Sequence, residues 1–283
     1  MRKLLRADFV RVRKSKIFWV GLAVLLLLGL AFVVDGYKIA GNFEQPLPEM
    51  LSECLFQNTI LAGIVFAVFC SLFTGTEYDE GTIRNKLVIG QSRDSIYLSN
   101  FISSFTAAVF QIVVSVAIVT MAGVLLCGKM EMTTGQFVKI CLVLLFACMA
   151  YVSIYNLCSM LISNKSYASA VNILLSFGML VFAGYLAMKL NEPEMISQIQ
   201  MANDGSVTIG EKVPNPSYLA GTVRDIYQFL LDLLPGGQSF QIANSSMQKQ
   251  LLQHPAMLCA YSAVITVMAN MTGLLIFRRK DIK

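Results

Sequence analysis

The chain has 283 residues, 56% of them hydrophobic and 14% charged, with a net charge of +5 and a mean hydropathy of +0.64. A soluble domain carries about 25% charged residues, so this composition excludes a soluble surface, and the apolar residues gather in runs long enough to cross a bilayer. It predicts an all-α integral membrane protein, one membrane domain over residues 1–283 with no room for a large soluble domain.

Met1 to Lys16 holds seven Lys and Arg against a single acid, Asp8. Leu5, Phe9 and Val12 recur at helical spacing, which predicts an amphipathic helix along the membrane surface, attracted to anionic lipid. The simpler alternative is a basic flank that only sets topology. The first span follows at about 17–34, with Trp19 near the interface. The basic start and apolar run resemble a signal peptide. However, the run exceeds the roughly 7–15 residues of such a segment and no Ala-x-Ala-like site follows at Asp35, so the span is expected to be retained.

Residues 35–54 are acidic, and Pro46 and Pro48 are expected to break any helix there. A second span is predicted at 55–73, then a charged run from Thr74 to Asn100, then spans at 101–126, 137–162 and 168–188. Residues 189–255 form a long polar segment before the sixth span, 256–277, and a basic end. Within that segment, two short runs flank Asn203-Asp204-Gly205, a hairpin turn signal. From Leu219 to Leu234 apolar residues recur with helical period, and Pro235-Gly236-Gly237 is expected to stop this helix. It is too short and too charged to span, which leaves an interfacial or re-entrant helix, or an extracellular lid.

Six spans put both termini on one side. That side carries fifteen Lys and Arg and the other seven, so the positive-inside rule places the termini and the charged run in the cytosol of a cell that holds the protein in its plasma membrane. Seven cysteines without a paired spacing read as buried thiols, and His254 has no companion ligands for a metal.

No GxxxxGK[ST], HExxH or GxSxG occurs, and no span carries Asp, Glu or Arg at mid-depth. Ion-coupled carriers place ionisable groups inside the membrane. The spans hold neutral polar groups instead: Gln111, Asn156, Asn172 and Asn270. Such groups bond a neighbouring helix more often than they touch cargo. Ala168, Asn172, Ser176 and Gly184 share a stripe that marks a helix contact, within the subunit or at a dimer axis.

The charged run has its own pattern. Thr82 is placed to cap a two-turn helix with Ile83, Leu87 and Val88 on one face, Gly90 to stop it, and Ser92 to begin the next. It reads as a cytosolic handle pushed by a soluble partner; an ordinary inter-span loop is the alternative.

The pattern Glu77…Glu80-Gly81-Thr82-Ile83-Arg84…Leu87…Ser92-Arg93, with the basic start Leu4-Leu5-Arg6…Lys16 and the ending Gly273…Phe277-Arg278-Arg279-Lys280-Asp281, resembles the membrane subunits of type-2 ABC exporters. Val88-Ile89-Gly90-Gln91 stands where many members carry a proline. The resemblance implies an N-terminal interfacial helix, a coupling helix between spans two and three, re-entrant helices before span six, and spans two and five along the central path. Two permease subunits, alike or different, would pair with two ATP-binding subunits. ATP and Mg would sit in those partners, with no cofactor, catalytic residue or nucleic acid on this chain. Glu77, Glu80, Gly81, Thr82, Arg84, Lys86 and Arg93 would carry the coupling, and replacing Glu77, Glu80 or Arg84 would weaken it while leaving insertion intact. The apolar spans suggest an amphipathic or hydrophobic cargo, such as a peptide, antibiotic or lipid-like molecule. An ATP-independent carrier and an intramembrane enzyme are the alternatives.

Overall fold

The computed structural model describes residues 1–43, 46–130, 132–201, 207–247, 252 and 254–281. Among these, six helices are long and apolar enough to cross a membrane. They are α2 (Lys16–Phe43), α4 (Thr59–Asp79), α6 (Arg93–Cys127), α7 (Thr134–Leu161), α8 (Lys165–Leu190) and α11 (Pro255–Arg279). Around them lie α1 (Arg2–Lys14), α3 (Leu47–Cys54), α5 (Thr82–Val88), α9 (Gly221–Leu233), α10 (Pro235–Met247) and a hairpin of β1 (Met195–Met201) and β2 (Val207–Pro214). The all-α membrane architecture expected from composition is present.

Three of the long helices begin at polar side-chain caps. Ser92 accepts from the Ser95 amide at the start of α6, and Asn164 accepts from Ser166 and Tyr167 at the start of α8. Thr133 and Gln136 form a reciprocal capping box on α7. Each such cap is worth about 1 kcal/mol. Residues 46–48 differ from expectation. Pro46 caps α3 and Pro48 lies in its first turn, where a missing N–H costs nothing, so the prolines start a helix rather than exclude one. α2 likewise runs on past Val34 to Phe43.

α7 is the central helix, packed on α11, α4, α6 and α10, while α4 packs on α8 and α2. Small residues permit the closest approaches. A Cβ on Gly75 would lie 3.0 Å from the Lys165 backbone, so α4 and the start of α8 nearly touch. The α8 stripe is an internal contact, with Ala168, Asn172 and Ser176 buried and Gly184 facing Phe240 of α10. Asn172 donates to Ser159 Oγ at 2.8 Å and to Tyr155 O at 3.3 Å. Gln111 donates to Phe18 O at 2.7 Å, tying α6 to α2. Asn156 is buried on α7.

At the end of the bundle away from the chain termini, β1 pairs antiparallel with β2 from Met195↔Pro214 to Met201↔Val207, with an irregularity between Ser197 and Ile199. The Asn203-Asp204-Gly205 turn lies outside the described residues. Asn215 closes the hairpin base through Glu192 and the Glu194 carbonyl. Arg224 on α9 donates to Leu190 O, the last residue of α8, at 3.0 Å. α9 leaves Val223, Ile226 and Phe229 exposed and buries Leu231. Pro235-Gly236-Gly237 does end α9, but it is also the first turn of a second helix. α10 turns back into the bundle, with Gln238 and Ser239 buried among α3, α4, α7 and α8. Gln238 bonds Asp232 O, Leu258 O and Ser262 Oγ. α9 and α10 together form a helix pair before the sixth span, with α10 packed into the bundle.

Candidate functional site

At the end that carries both termini, α1, α4, α5, α6 and α11 converge on the charged run. α5 starts at Gly81, whose φ of 64° lies in the left-handed region that glycine tolerates. No side-chain cap is present, so Thr82 is the first helical residue rather than the cap. The helix ends in a Schellman turn: Gly90 N–H donates to Leu87 O, Gln91 N–H donates to Lys86 O, and Gly90 takes a φ of 86°.

The inner face of α5 carries Ile83, Leu87 and Lys86. Ile83 joins a cluster with Leu4, Ile96, Tyr97, Met160 and Phe277, flanked by Leu87. Beside it lies a buried four-charge cluster. Glu77, at the end of α4 and fully buried, accepts from Arg11 of α1 and from Lys86 of α5. Lys86 also reaches Asp8 Oδ1 at 3.0 Å. Ser99 donates to the other Asp8 oxygen at 2.5 Å, and Asn100 donates to Glu77 Oε2 at 3.2 Å. Thr74 completes the shell by donating to Asn100 Oδ1 at 3.0 Å. The Arg11 guanidinium stacks 3.8 Å over the Phe73 ring. Two anions and two cations thus neutralise one another, with both carboxylates buried and Arg11 partly exposed.

The Ser92-Arg93 pair serves two helices at once. Ser92 caps α6, while Arg93 donates to Phe277 O at 3.0 Å and to Lys280 O, satisfying the terminal carbonyls of α11. Arg278 returns a two-pronged pair to Asp94 at 2.6 and 2.7 Å. Lys280 donates to Tyr78 Oη at 2.9 Å and to Met160 O at 3.0 Å. Partial burial pulls the Lys280 ammonium down from 10.5 to about 8. Between these values the seated amine is neutral and the free one charged, so raising pH through that window favours the seated tail. Hydrogen exchange in the last turn of α11, corrected for intrinsic base catalysis, is expected to slow relative to Lys280→Met as pH rises from about 8.

The outer face of α5 is different. Arg84 and Asn85 are exposed, Val88 is 80% exposed and Ile89 77%, and Glu80, just before the helix, is exposed too. Gly81 and Thr82 are half-buried. The structure therefore divides the predicted coupling residues. Glu80 and Arg84 face outward, whereas Glu77, Lys86 and Arg93 are bound into the protein. Val88 faces outward, not inward as its spacing suggested.

Asp8, Arg11, Ser99 and Asn100 were not singled out by the sequence reading. Asp8 carried a signal: it is the only acid in a basic helix, and it lies on the line Leu4–Asp8–Val12, which is buried throughout. An acid on that line needs a buried cation. Ser99 and Asn100 carried none, because polar residues near a span end are ordinary.

A family model described as ABC-2 family transporter protein matches residues 4–184. That range contains the charge cluster, α5, four of the six long helices and most of α1 and α8. No curated protein matches the chain.

Proposed function

The chain belongs to the ABC-2 transporter family and is a permease subunit of an ABC transporter, and we propose that it is the export path of an ATP-driven complex whose ATP-binding subunit docks on the outer face of α5. The observation that carries this is the two-sided build of α5. Its inner face is bound to α1, α4 and α6, so a displacement of α5 is passed to them. Its outer face presents Val88 and Ile89, two large apolar side chains left uncovered, with the polar Glu80, Arg84 and Asn85 exposed as well. An apolar pair in a polar surround is the composition of an interface anchor. The excess of Lys and Arg puts this end in the cytosol, where ATP is.

The path would lie between two permease subunits. Gln111, Asn156, Asn172 and Ser176 are buried inside the bundle, and the outward faces of the spans are apolar, as at Leu174, Phe177 and Val181 on α8. A path built on such faces suits an amphipathic or hydrophobic cargo.

Co-expression of the chain with its ATP-binding subunit, followed by purification in nanodiscs, tests the docking. Val88→Asp with Ile89→Asp is expected to cut complex recovery at least tenfold, while the chain alone keeps its thermal midpoint because both side chains face water. Undiminished recovery and cargo-stimulated ATP hydrolysis in the double variant would rule out α5 as the dock.

A further inference from the structure

The geometry points to α1 as a sensor of anionic lipid that is mechanically joined to α5. α1 is a 13-residue helix with two opposite faces. Leu4, Asp8 and Val12 are buried, and Arg11 beside them reaches Glu77. At about 100° per residue, the opposite side holds Arg2, Arg6, Phe9 and Arg13 on one line and Lys3, Val10 and Lys14 on the next. All seven are exposed. One residue, Ser15, separates this helix from membrane-spanning α2, so the outer face of α1 is held at the level of lipid headgroups.

Three features choose the occupant. Among the described residues, the exposed cations have no acidic ion-pair partner on that side of the helix: the acid of α1, Asp8, is turned inward to Ser99 and Lys86. Exposed Phe9 and Val10 lie between the cations, which suits a boundary where phosphates and acyl chains meet. Trp19, 49% exposed, donates to Arg13 O at 2.9 Å, so an interfacial aromatic ring is fixed to the end of the basic face. The chemistry that matches is the phosphate of an anionic phospholipid, with the Lys and Arg stems lying along the acyl boundary.

The inner face supplies the linkage. Asp8 and Arg11 sit on the same helix as the lipid-facing cations, and both end in the cluster that holds Lys86 of α5. Lipid that holds α1 in place therefore holds α5 in place. Free energy spent on the leaflet appears as order in the short helix on the opposite side of α1.

The single tryptophan of the chain, Trp19, is the probe. The full chain is placed in nanodiscs of phosphatidylcholine with a small fraction of lipid spin-labelled in its headgroup region, either phosphatidylglycerol or phosphatidylcholine. Labelled phosphatidylglycerol is expected to quench Trp19 with several-fold higher apparent affinity, a preference lost when Arg2, Lys3 and Arg6 are all changed to Gln. Hydrogen exchange in α5 is expected to be slower in phosphatidylglycerol discs than in phosphatidylcholine discs. Asp8→Asn should abolish that difference in α5 while leaving the quenching preference intact. Where Asp8→Asn does not fold, Ser99→Ala, which removes one bond to Asp8, should reduce the difference. Equal quenching by the two labelled lipids would overturn lipid recognition. A quenching preference with identical α5 exchange in the two discs would overturn the linkage. Neither readout requires an ATP-binding subunit, so loss of docking at Val88 and Ile89 would leave both outcomes readable.

Discussion

Glu77→Ala is expected to destabilise the terminal end of the bundle by about 3–5 kcal/mol, the range seen when one partner of a buried ion pair is removed. Glu77 is fully buried and accepts from Arg11, Lys86 and Asn100. Without it, Lys86 keeps Asp8 as a partner, but Arg11 keeps only the face of Phe73. Two guanidinium nitrogens of Arg11, Nε and Nη2, are already buried without a hydrogen-bond partner, so this cation has no reserve. The outcome differs from that of an exposed coupling residue. Glu77→Ala should accelerate hydrogen exchange in α1, α5 and the end of α4 before any partner is added.

A charge-balanced variant separates the two components of this loss. In Glu77→Gln with Lys86→Met one anion and one cation leave together, so the cluster, left with Asp8 and Arg11, keeps a net charge of zero, and Asp8 keeps its bond from Ser99. Much of the stability should return, because an apolar replacement for a buried pair is often neutral. A midpoint as low as that of Glu77→Ala would show that geometry at Glu77, rather than charge balance, holds the junction. Glu80→Ala and Arg84→Ala, both at exposed positions, should stay within about 0.5 kcal/mol of the parent in the same assay.

What the sequence revealed and what it concealed can be read on α5 itself. Its existence, its stop at Gly90 and the cap of the next helix at Ser92 followed from local chemistry. Its orientation did not. Ile83, Leu87 and Val88 are the apolar residues of α5, and a face drawn through them leaves Lys86 outside. The structure rotates that face by roughly 60–70°, bringing Lys86 inward and turning Val88 out. The cause is tertiary: Asp8 and Glu77 come from helices far away in the chain, and two buried carboxylates outweigh the burial of one valine side chain at roughly 2 kcal/mol. A seven-residue helix has too few positions for its own periodicity to resist.

The same limit applied to Arg93. Its place beside Ser92 was legible, but its partners are carbonyls of Phe277 and Lys280, and backbone acceptors leave no mark in a sequence. The spans were legible because a long apolar run has few alternatives in a chain this poor in charge. Their ends were less so, since α2, α4 and α6 each carry charged residues within the helix beyond the apolar run. Helical hydrogen bonding continues after the hydrophobic stretch has ended.

Gly237→Ala is expected to cost about 1–3 kcal/mol, the range of overpacking in a fixed surround, and to loosen the α9–α10 pair. A Cβ there would lie 1.9 Å from Leu231 O and 2.8 Å from Leu231 C. Both are backbone atoms, so no rotamer change relieves the clash; α9 and α10 must move apart. The next residue is Gln238, whose amide joins α9 at Asp232 O to α11 at Leu258 O and whose oxygen accepts from Ser262. A shift at Gly237 therefore strains three hydrogen bonds, two of them buried, and the amides at the start of α11 should exchange faster along with those of α10. Gly178→Ala is the control. Gly178 lies in α8 with nothing within 4 Å of its added Cβ, so the substitution should be neutral or stabilise by up to about 1 kcal/mol through helix propensity. If the Gly237 and Gly178 variants unfold at the same temperature, α9 and α10 are free to part without strain, and the pair is a mobile flap on the bundle rather than one of its fixed walls.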